Sequence, residues 1–149
     1  MPFFTLQVSS RGLIVEAAVL VSQSRREALE KAGQAVPEPQ RVYALLDTGA
    51  SCSAVDQSAL DALGLTPTGE AEILTPSTGH IPQKTSTYDV QIGIFAGRPG
   101  DPHYLSAPIE VMASDLFAGQ GIHVLIGRDI LANCILQYNG ADEIFTLAY

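Results

Sequence analysis

The sequence predicts a single, mainly β domain with one or two short helices. Its 149 residues are the usual length of one domain. Hydrophobic residues make up 46% and charged residues 16% of the chain, a balance typical of a protein that buries a core. Apolar segments of strand length recur along the chain between clusters of turn-forming residues. We therefore expect residues 1–149 to form one β-rich body that closes on itself or folds into a sandwich.

Strand and turn patterns alternate through the first half of the chain. A turn at residues 9–12 separates the first two strands. Strong helix formers at 25–32 end at Gly33, and residues 58–63, which end at Gly64, predict a further turn or two of helix. The strands expected in this half are residues 3–8, 13–21, 42–46 and 71–74.

The second half continues with strands, the last two of which predict a hairpin. Pro108 lies inside one apolar segment and indicates an edge strand or a bulge, because proline cannot donate to a sheet. Residues 129–133 favour a short helix, and Asn139-Gly140 is a strong hairpin signal. The strands expected in this half are residues 85–95, 104–112, 122–126, 134–138 and 143–149.

The charge balance argues against nucleic acid as a partner. Acidic residues number 16 and basic residues 8, which gives a net charge of -8. The one basic pair, Arg25-Arg26, is too small to form the positive patch that a phosphate backbone requires.

The remaining bulk features favour a cytoplasmic protein without metal or cofactor. Arg11 and Glu16 interrupt the first apolar residues, so we expect no signal peptide, and no apolar run is long enough to cross a membrane. Cys52 and Cys134 are too few for a disulfide framework and lack metal-ligand spacing.

Asp47 is the main candidate for chemistry. It follows directly on the apolar strand at residues 42–46, which would deliver its carboxylate towards the interior. Thr48 adds a hydroxyl, and Gly49 permits close approach of another backbone. Taken alone, this Asp-Thr-Gly tripeptide is more typical of an ordinary Asx-type turn that closes a strand.

The residues around Asp47 resemble those of a known family. Ala-Leu-Leu-Asp-Thr-Gly-Ala-Ser at 44–51 resembles the active-site turn of the retropepsins, the single-domain retroviral-type aspartic proteases. Val-Leu-Ile-Gly-Arg-Asp-Ile-Leu at 124–131 resembles their second conserved element. Residues 88–94 are similar to the strand that leaves the flap, and residues 134–136 to the terminal strand. The four matches occur in the family's order.

The resemblance implies a closed acid-protease barrel that is active as a C2 homodimer. Catalysis in that family needs two aspartates that share one proton, and this chain has one Asp-Thr-Gly, so Asp47 of a second copy must complete the pair. The implied activity is that of an aspartic endopeptidase acting on extended, largely apolar polypeptide segments. Asp129 is the rival acid within the chain, but its position at a helix start favours a structural role.

The same resemblance assigns roles around the catalytic turn. The Thr48 hydroxyl is expected to reach the partner's backbone across the symmetry axis, and a local turn hydrogen bond is the alternative. Gly49 is expected to accept a substrate hydrogen bond. Ala50 stands where pepsin-like enzymes carry a serine that hydrogen-bonds the aspartate, so we expect a pH optimum nearer neutrality than that of pepsin.

The resemblance also implies a flap and a substrate pocket. The residues expected to contact substrate are Ser77, Thr78, Gly79 and His80 at the flap tip, and His123 and Leu125 in the pocket. An ordinary hairpin loop is the alternative for the flap, and a surface side chain is the alternative for each histidine.

Three features depart from the family pattern. Residues 22–40 form an insert, and residues 134–149 add a hairpin that modifies the dimer sheet or, alternatively, packs on the body of one monomer as in a pepsin lobe. Ser51 replaces the acid that often pairs with the arginine at position 128, so Arg128 has no evident partner.

Two other functions remain open from the sequence. One is a catalytically weak peptide- or protein-binding dimer that keeps the fold. The other is a cysteine hydrolase that uses Cys52 with a histidine, although Cys52 is more simply read as a small residue packed beside the catalytic turn.

Overall fold

A computed structural model describes residues 1–74, 79–97, 103–115 and 118–149 of the chain. Strands dominate these ranges, as the sequence predicts. The strands are β1 Phe3–Gln7, β2 Ile14–Val21, β3 Gln40–Leu46, β4 Ala54–Asp56, β5 Gly69–Ile73, β6 Gln83–Phe95, β7 Tyr104–Leu105, β8 Ile109–Ser114, β9 Val124–Ile126, β10 Ile135–Asn139 and β11 Ile144–Ala148.

The helices are short, but they exceed the expected one or two. Within the described ranges the α-helices are α1 Gln23–Lys31, α2 Gln57–Ala62 and α3 Arg128–Leu131, with a 3-10 turn at Ala118–Gln120. The third helix lies where residues 129–133 predicted one. No helix of the described part is long and apolar enough to cross a membrane.

The larger sheet returns on itself through its pairings. β2 pairs antiparallel with β3 and also with β6. From β3 the pairings pass through β9, β4 and β8 to β6, and so back to β2. β5 and β7 pair with β6 outside this ring. The parallel pair of β3 and β9 is the part that positions the site.

The smaller sheet has the order β1-β11-β10, with both pairings antiparallel. Its side chains Phe145 and Leu147 are fully buried and belong to the same hydrophobic cluster as Val15 of β2 and Ile92 of β6. The two sheets therefore share one core.

The insert expected at residues 22–40 contains α1, between β2 and β3. The Ser22 hydroxyl accepts a hydrogen bond of 3.4 Å from the Arg25 amide and so caps the helix start. Gly33 follows the helix with a φ of 66°, the left-handed conformation that ends many helices.

Two strand predictions were wrong. The segment 104–112 forms two strands, β7 and β8, because the strand is interrupted near Pro108. Just before Pro108, the Ser106 amide donates to the Ile92 carbonyl at 2.9 Å, and the Ser106 hydroxyl accepts from the Ile92 amide at 3.0 Å. Strand β4 was missed altogether, since three residues are too few to show an alternation.

The predicted hairpin of β10 and β11 is present, but its connection is not a tight Asn-Gly turn. Residues 140–143 join the strands, and Glu143 is the residue with a positive φ, of 53°. Asn139 Oδ1 accepts from the amides of Ala141 and Asp142 at 3.1 and 3.2 Å. The asparagine therefore organises a wider loop through its side chain.

Candidate active site

Asp47 lies at the end of β3, beside the end of β9. Its backbone amide donates to the Ile126 carbonyl at 2.9 Å, which continues the parallel pairing of the two strands by one residue. The neighbouring side chains Ala44 and Leu46 are buried, whereas Asp47 is only half-buried. The strand thus delivers the carboxylate to the boundary between core and surface.

The turn after Asp47 folds back onto its carboxylate. The Gly49 amide donates to Asp47 Oδ1 at 2.8 Å, and the Ala50 amide donates to the Asp47 carbonyl at 3.3 Å. A Cβ at position 49 would lie 3.1 Å from Oδ1, so glycine permits this approach. In the described part of the chain no hydrogen bond reaches Asp47 Oδ2. One oxygen is held, and the other is free for a proton, a water or a second carboxylate.

Thr48 is exposed at the tip of this turn. Its carbonyl accepts a 3.0 Å bond from Arg128 Nη1, while its hydroxyl has no partner within the described ranges. The structure thus gives Arg128 the partner that the sequence did not reveal. Among the described residues, the Thr48 hydroxyl does not make the local turn hydrogen bond that was its alternative.

The second predicted element packs directly against the turn at Gly127. The amide of Arg128 donates to the Ala50 carbonyl at 2.9 Å. A Cβ at position 127 would lie 2.7 Å from the carbonyl carbon and oxygen of Cys52 and 3.1 Å from the Ala50 carbonyl oxygen. Such contacts are too close for any side chain, so only glycine lets the two segments meet.

Ser53 joins the two segments through buried hydrogen bonds, a role that sequence reasoning missed. It is completely buried. Its hydroxyl donates to Asp129 Oδ1 at 2.7 Å and accepts from the Gly127 amide at 3.0 Å, while its own amide donates to Asp129 Oδ2 at 2.8 Å. This network ties the loop after Asp47 to the start of α3.

Asp129 has the structural role that its position indicated. Besides the two bonds from Ser53, its Oδ1 accepts from the Ile130 amide at 2.9 Å. Both carboxylate oxygens are therefore engaged, which leaves Asp129 unsuited to act as the second catalytic acid. Asp56 is buried and caps α2 by accepting from the Ser58 amide at 3.0 Å, and Asp61 is exposed on that helix.

Of the two predicted pocket residues, Leu125 lies in β9 and His123 directly precedes that strand. Val124 and Ile126 are fully buried, whereas His123 and Leu125 are half-buried. Leu125 lies opposite Leu45 of β3 and Ala54 of β4. His123 Nδ1 is buried without a hydrogen-bond partner.

Strands β5 and β6 form an antiparallel hairpin in the place of the expected flap. Ser77 and Thr78 lie outside the described residues. Gly79 follows with a φ of 61°, and His80 is exposed. The surface alternative for His80 thus agrees with the structure, and its contact with substrate stays a prediction.

Comparison with known proteins decides the family. A family model described as aspartyl protease matches residues 33–130, which include the Asp47 turn and the Gly127-Arg128 segment. The chain belongs to this aspartyl protease family.

Solved structures show the fold of this aspartyl protease. A retropepsin-like aspartic protease from Rickettsia conorii has a TM-score of 0.56 and 15% identity, over 99% of this chain and 90% of that one. The Simian Foamy Virus (mac) protease has a TM-score of 0.46 and 17% identity, over 80% and 92% of the two chains. No curated protein matches the chain significantly. The predicted resemblance to retropepsin-like aspartic proteases is confirmed.

Both cysteines are free thiols in the described part of the chain. Cys52 is exposed, so the prediction that its side chain packs beside the turn was wrong: its backbone, not its thiol, packs against Gly127. No hydrogen bond in the described ranges joins Cys52 to a histidine. Burial raises the pKa of the Cys134 thiol, which keeps it uncharged.

Burial also raises the pKa of the Tyr104 hydroxyl, and the nearby Cys134 raises this pKa further. Both groups lie against the smaller sheet, where Tyr104 contacts Tyr149 with a ring-centroid separation of 5.5 Å. Among the described residues no group of three or more histidine, cysteine or acidic side chains is arranged to hold a metal.

Proposed function

We propose that the protein is an aspartic endopeptidase of the retropepsin type, in which Asp47 of two copies forms one catalytic pair. The observation that carries the proposal is the Asp47 carboxylate itself. Gly49 holds one of its oxygens, the other has no partner in the described part of the chain, and the side chain is half-exposed at the end of β3.

The chemistry requires two carboxyl groups, and we infer that the second comes from another chain. A peptide bond is hydrolysed by this chemistry when one carboxylate takes a proton from water and a second, protonated carboxyl polarises the carbonyl. The water oxygen bonds to the carbonyl carbon, and the C–N bond then breaks as the amine receives a proton. The rival Asp129 has both oxygens occupied, so the second carboxyl must come from Asp47 of another copy in a C2 dimer.

Arg128 holds the backbone of the turn by two hydrogen bonds. Its side chain donates to the Thr48 carbonyl and its amide donates to the Ala50 carbonyl. Such preorganisation reduces the rearrangement that the carboxylate needs when a substrate binds. The free Thr48 hydroxyl supports the expected contact with the partner's backbone, and exposed Gly49 is available to a substrate.

The face beside Asp47 suits an extended, largely apolar substrate. The strand registers place Leu45, Leu125, Ala54 and Met112 in one row across four strands. An extended peptide laid across that row would meet apolar side chains. The same proposal includes a closed acid-protease barrel, which the ring of pairings supports, and a cytoplasmic location. It also includes the expected flap contacts with substrate, made by Ser77, Thr78, Gly79 and His80.

Cleavage of a peptide library over a range of pH tests the proposal. Wild-type protein and Cys52→Ser are expected to cleave, and Asp47→Ala is expected to lose all activity. Cleavage that survives Asp47→Ala would refute the aspartic mechanism. No cleavage of any peptide by a dimeric wild type would instead identify a peptide-binding dimer.

A further inference from the structure

The turn between β1 and β2 lies beside the end of β3, where the catalytic turn begins. Two mutual backbone bonds of 3.0 Å close this turn at residues 9–12. The Leu46 amide then donates to the Leu13 carbonyl at 2.9 Å, so the pairing of β2 with β3 reaches the residue before Asp47. The backbone that carries Arg11 is therefore fixed next to the candidate active site.

The Arg11 side chain extends from this turn across β3. Its Nη1 donates to the carbonyl of Gln120, in the 3-10 turn that precedes β9. Since β2 and β9 flank β3 on opposite sides in the larger sheet, the side chain crosses β3 to make this bond. One face of β3 is closed by the buried side chains of Ala44 and Leu46. The exposed Arg11 side chain therefore crosses the other face, which carries Leu45.

Two glycines permit this crossing. A Cβ at position 12 would lie 3.0 Å from Leu45 Cδ1, so the turn packs closely on the Leu45 side chain. A Cβ at position 121 would lie 3.0 Å from Arg11 Nη1, and Gly121 has a φ of 71°. Both distances are shorter than ordinary carbon contacts. The backbone at each end of the crossing thus approaches a side chain as closely as glycine allows.

Arg11 holds a segment that is otherwise weakly attached. His123 is fixed between two strands, because its amide donates to the Tyr43 carbonyl at 3.0 Å and its carbonyl accepts from the Asp56 amide at 2.8 Å. In the described part of the chain, the Arg11 bond is the one hydrogen bond that joins residues 119–121 to another element. Without it, these residues are free to move away from β3.

We propose that Arg11 is a positioning residue for substrate binding, which holds residues 119–121 over the outer face of β3 as one wall of the substrate site. The inference rests on the proposed function, since the substrate is taken to be an extended, largely apolar segment on the row that begins at Leu45. The apolar stem of Arg11 and the segment that it holds bound that end of the row. Arg11 makes no contact with the reacting atoms, so its loss weakens substrate binding and leaves the chemical step unchanged.

Kinetics of full-length Arg11 variants with one cleaved peptide test the inference. Arg11→Gln, whose side chain is too short to reach Gln120, is expected to raise KM about five- to tenfold and to change kcat less than about twofold. Arg11→Lys keeps the length and the charge and should recover part of the loss. Arg26→Gln, on the exposed side of α1, makes the same charge change and is expected to keep wild-type kinetics.

Gly121→Ala tests the same contact from its other side. The added Cβ displaces the Arg11 guanidinium, so KM is expected to rise as it does in Arg11→Gln. The double variant should lose no more than either single variant, because both changes break one contact. Gly119→Ala is the matched control, since a Cβ there would meet no atom within 4 Å, and its KM should equal that of the wild type.

Peptide binding to Asp47→Asn protein separates this inference from the proposed function. Fluorescence anisotropy with labelled peptides of alanine, valine and leucine gives a Kd without cleavage, at a temperature at which circular dichroism shows each variant folded. If the wild type cleaves nothing, the endopeptidase is refuted, but a Kd about five- to tenfold weaker when Arg11→Gln is added would support the wall.

Three results would overturn the role of Arg11 even if Asp47-dependent cleavage is found. They are an unchanged KM and Kd in Arg11→Gln, equal losses in Arg11→Gln and Arg26→Gln, and a loss confined to kcat. Peptides that bind to no form of the protein and are not cleaved would overturn both proposals.

Discussion

At the scale of single residues, Gly127 is the point where the segment at residues 124–131 packs tightly against the loop that follows Asp47. A methyl group there would meet the Cys52 carbonyl at 2.7 Å, a distance that backbone atoms can relieve only by moving apart. We expect Gly127→Ala to destabilise the fold by about 1–3 kcal/mol, as overpacking does, and to lower cleavage strongly. Denaturant unfolding measures the first effect and peptide hydrolysis the second.

Gly93→Ala is the matched control for this prediction. Gly93 is also buried, but an added Cβ would lie at an ordinary 3.6 Å from its nearest neighbour, the Phe95 ring. We expect its unfolding free energy to change by less than about 1 kcal/mol. Equal losses in the two variants would show that the close approach at Gly127 has no special role.

Ser53 holds the same junction through hydrogen bonds. Ser53→Ala leaves the buried Gly127 amide without its partner and removes one of the two hydrogen bonds to Asp129 Oδ1, which costs about 1–3 kcal/mol. Chemical denaturation measures this loss, and the exposed Ser51→Ala serves as control. An unchanged midpoint for Ser53→Ala would mean that the network does not stabilise the turn.

We expect the residue at position 50 to influence the pH range of the proposed activity. Restoring a hydroxyl by Ala50→Ser adds a donor near the Asp47 carboxylates, which favours their charged form. The acid side of the pH–activity profile should therefore move to lower pH. A shift to higher pH, or a wild-type profile that already peaks below about 3, would contradict this reading of the turn.

At the scale of elements, α2 depends on its cap. Asp56 is buried and accepts from the amide and hydroxyl of Ser58 at the helix start. Asp56→Ala is expected to lower the unfolding free energy by about 0.5–2 kcal/mol, whereas Asp56→Asn should retain most of the cap. Thermal unfolding distinguishes the two variants. The exposed Asp61→Ala is the control, and a loss of stability equal to that of Asp56→Ala would argue against a capping role for Asp56.

The strands and their connections also show which features could be predicted from the sequence. Strand β3 and the position of Asp47 at its end follow from a local apolar pattern, so they were predictable. Ser53 was not, because its bonds to Asp129 join residues 76 positions apart. The break between β7 and β8 and the three residues of β4 are likewise fixed by pairing with distant strands.

At the scale of the whole molecule, the family and the mainly β fold were predictable because four motifs occur in one order along the chain. The order of strands in the smaller sheet was not predictable, because pairing between distant parts of the chain decides which strand lies at its edge. The hairpin at 134–149 proves to be part of a sheet that β1 completes within one chain. That sheet packs on the body of one chain, and its expected contribution to a dimer sheet stays a prediction.

We expect one active site to need Asp47 from two chains. Asp47→Asn protein, which keeps the turn but cannot supply a carboxylate, can be mixed with wild type at constant total concentration above the dimer dissociation constant. If subunits exchange freely, an equal mixture should retain about a quarter of the wild-type activity, because only pairs of wild-type chains are active. Activity that falls in simple proportion, to about half, would mean that each chain works alone and would contradict the account.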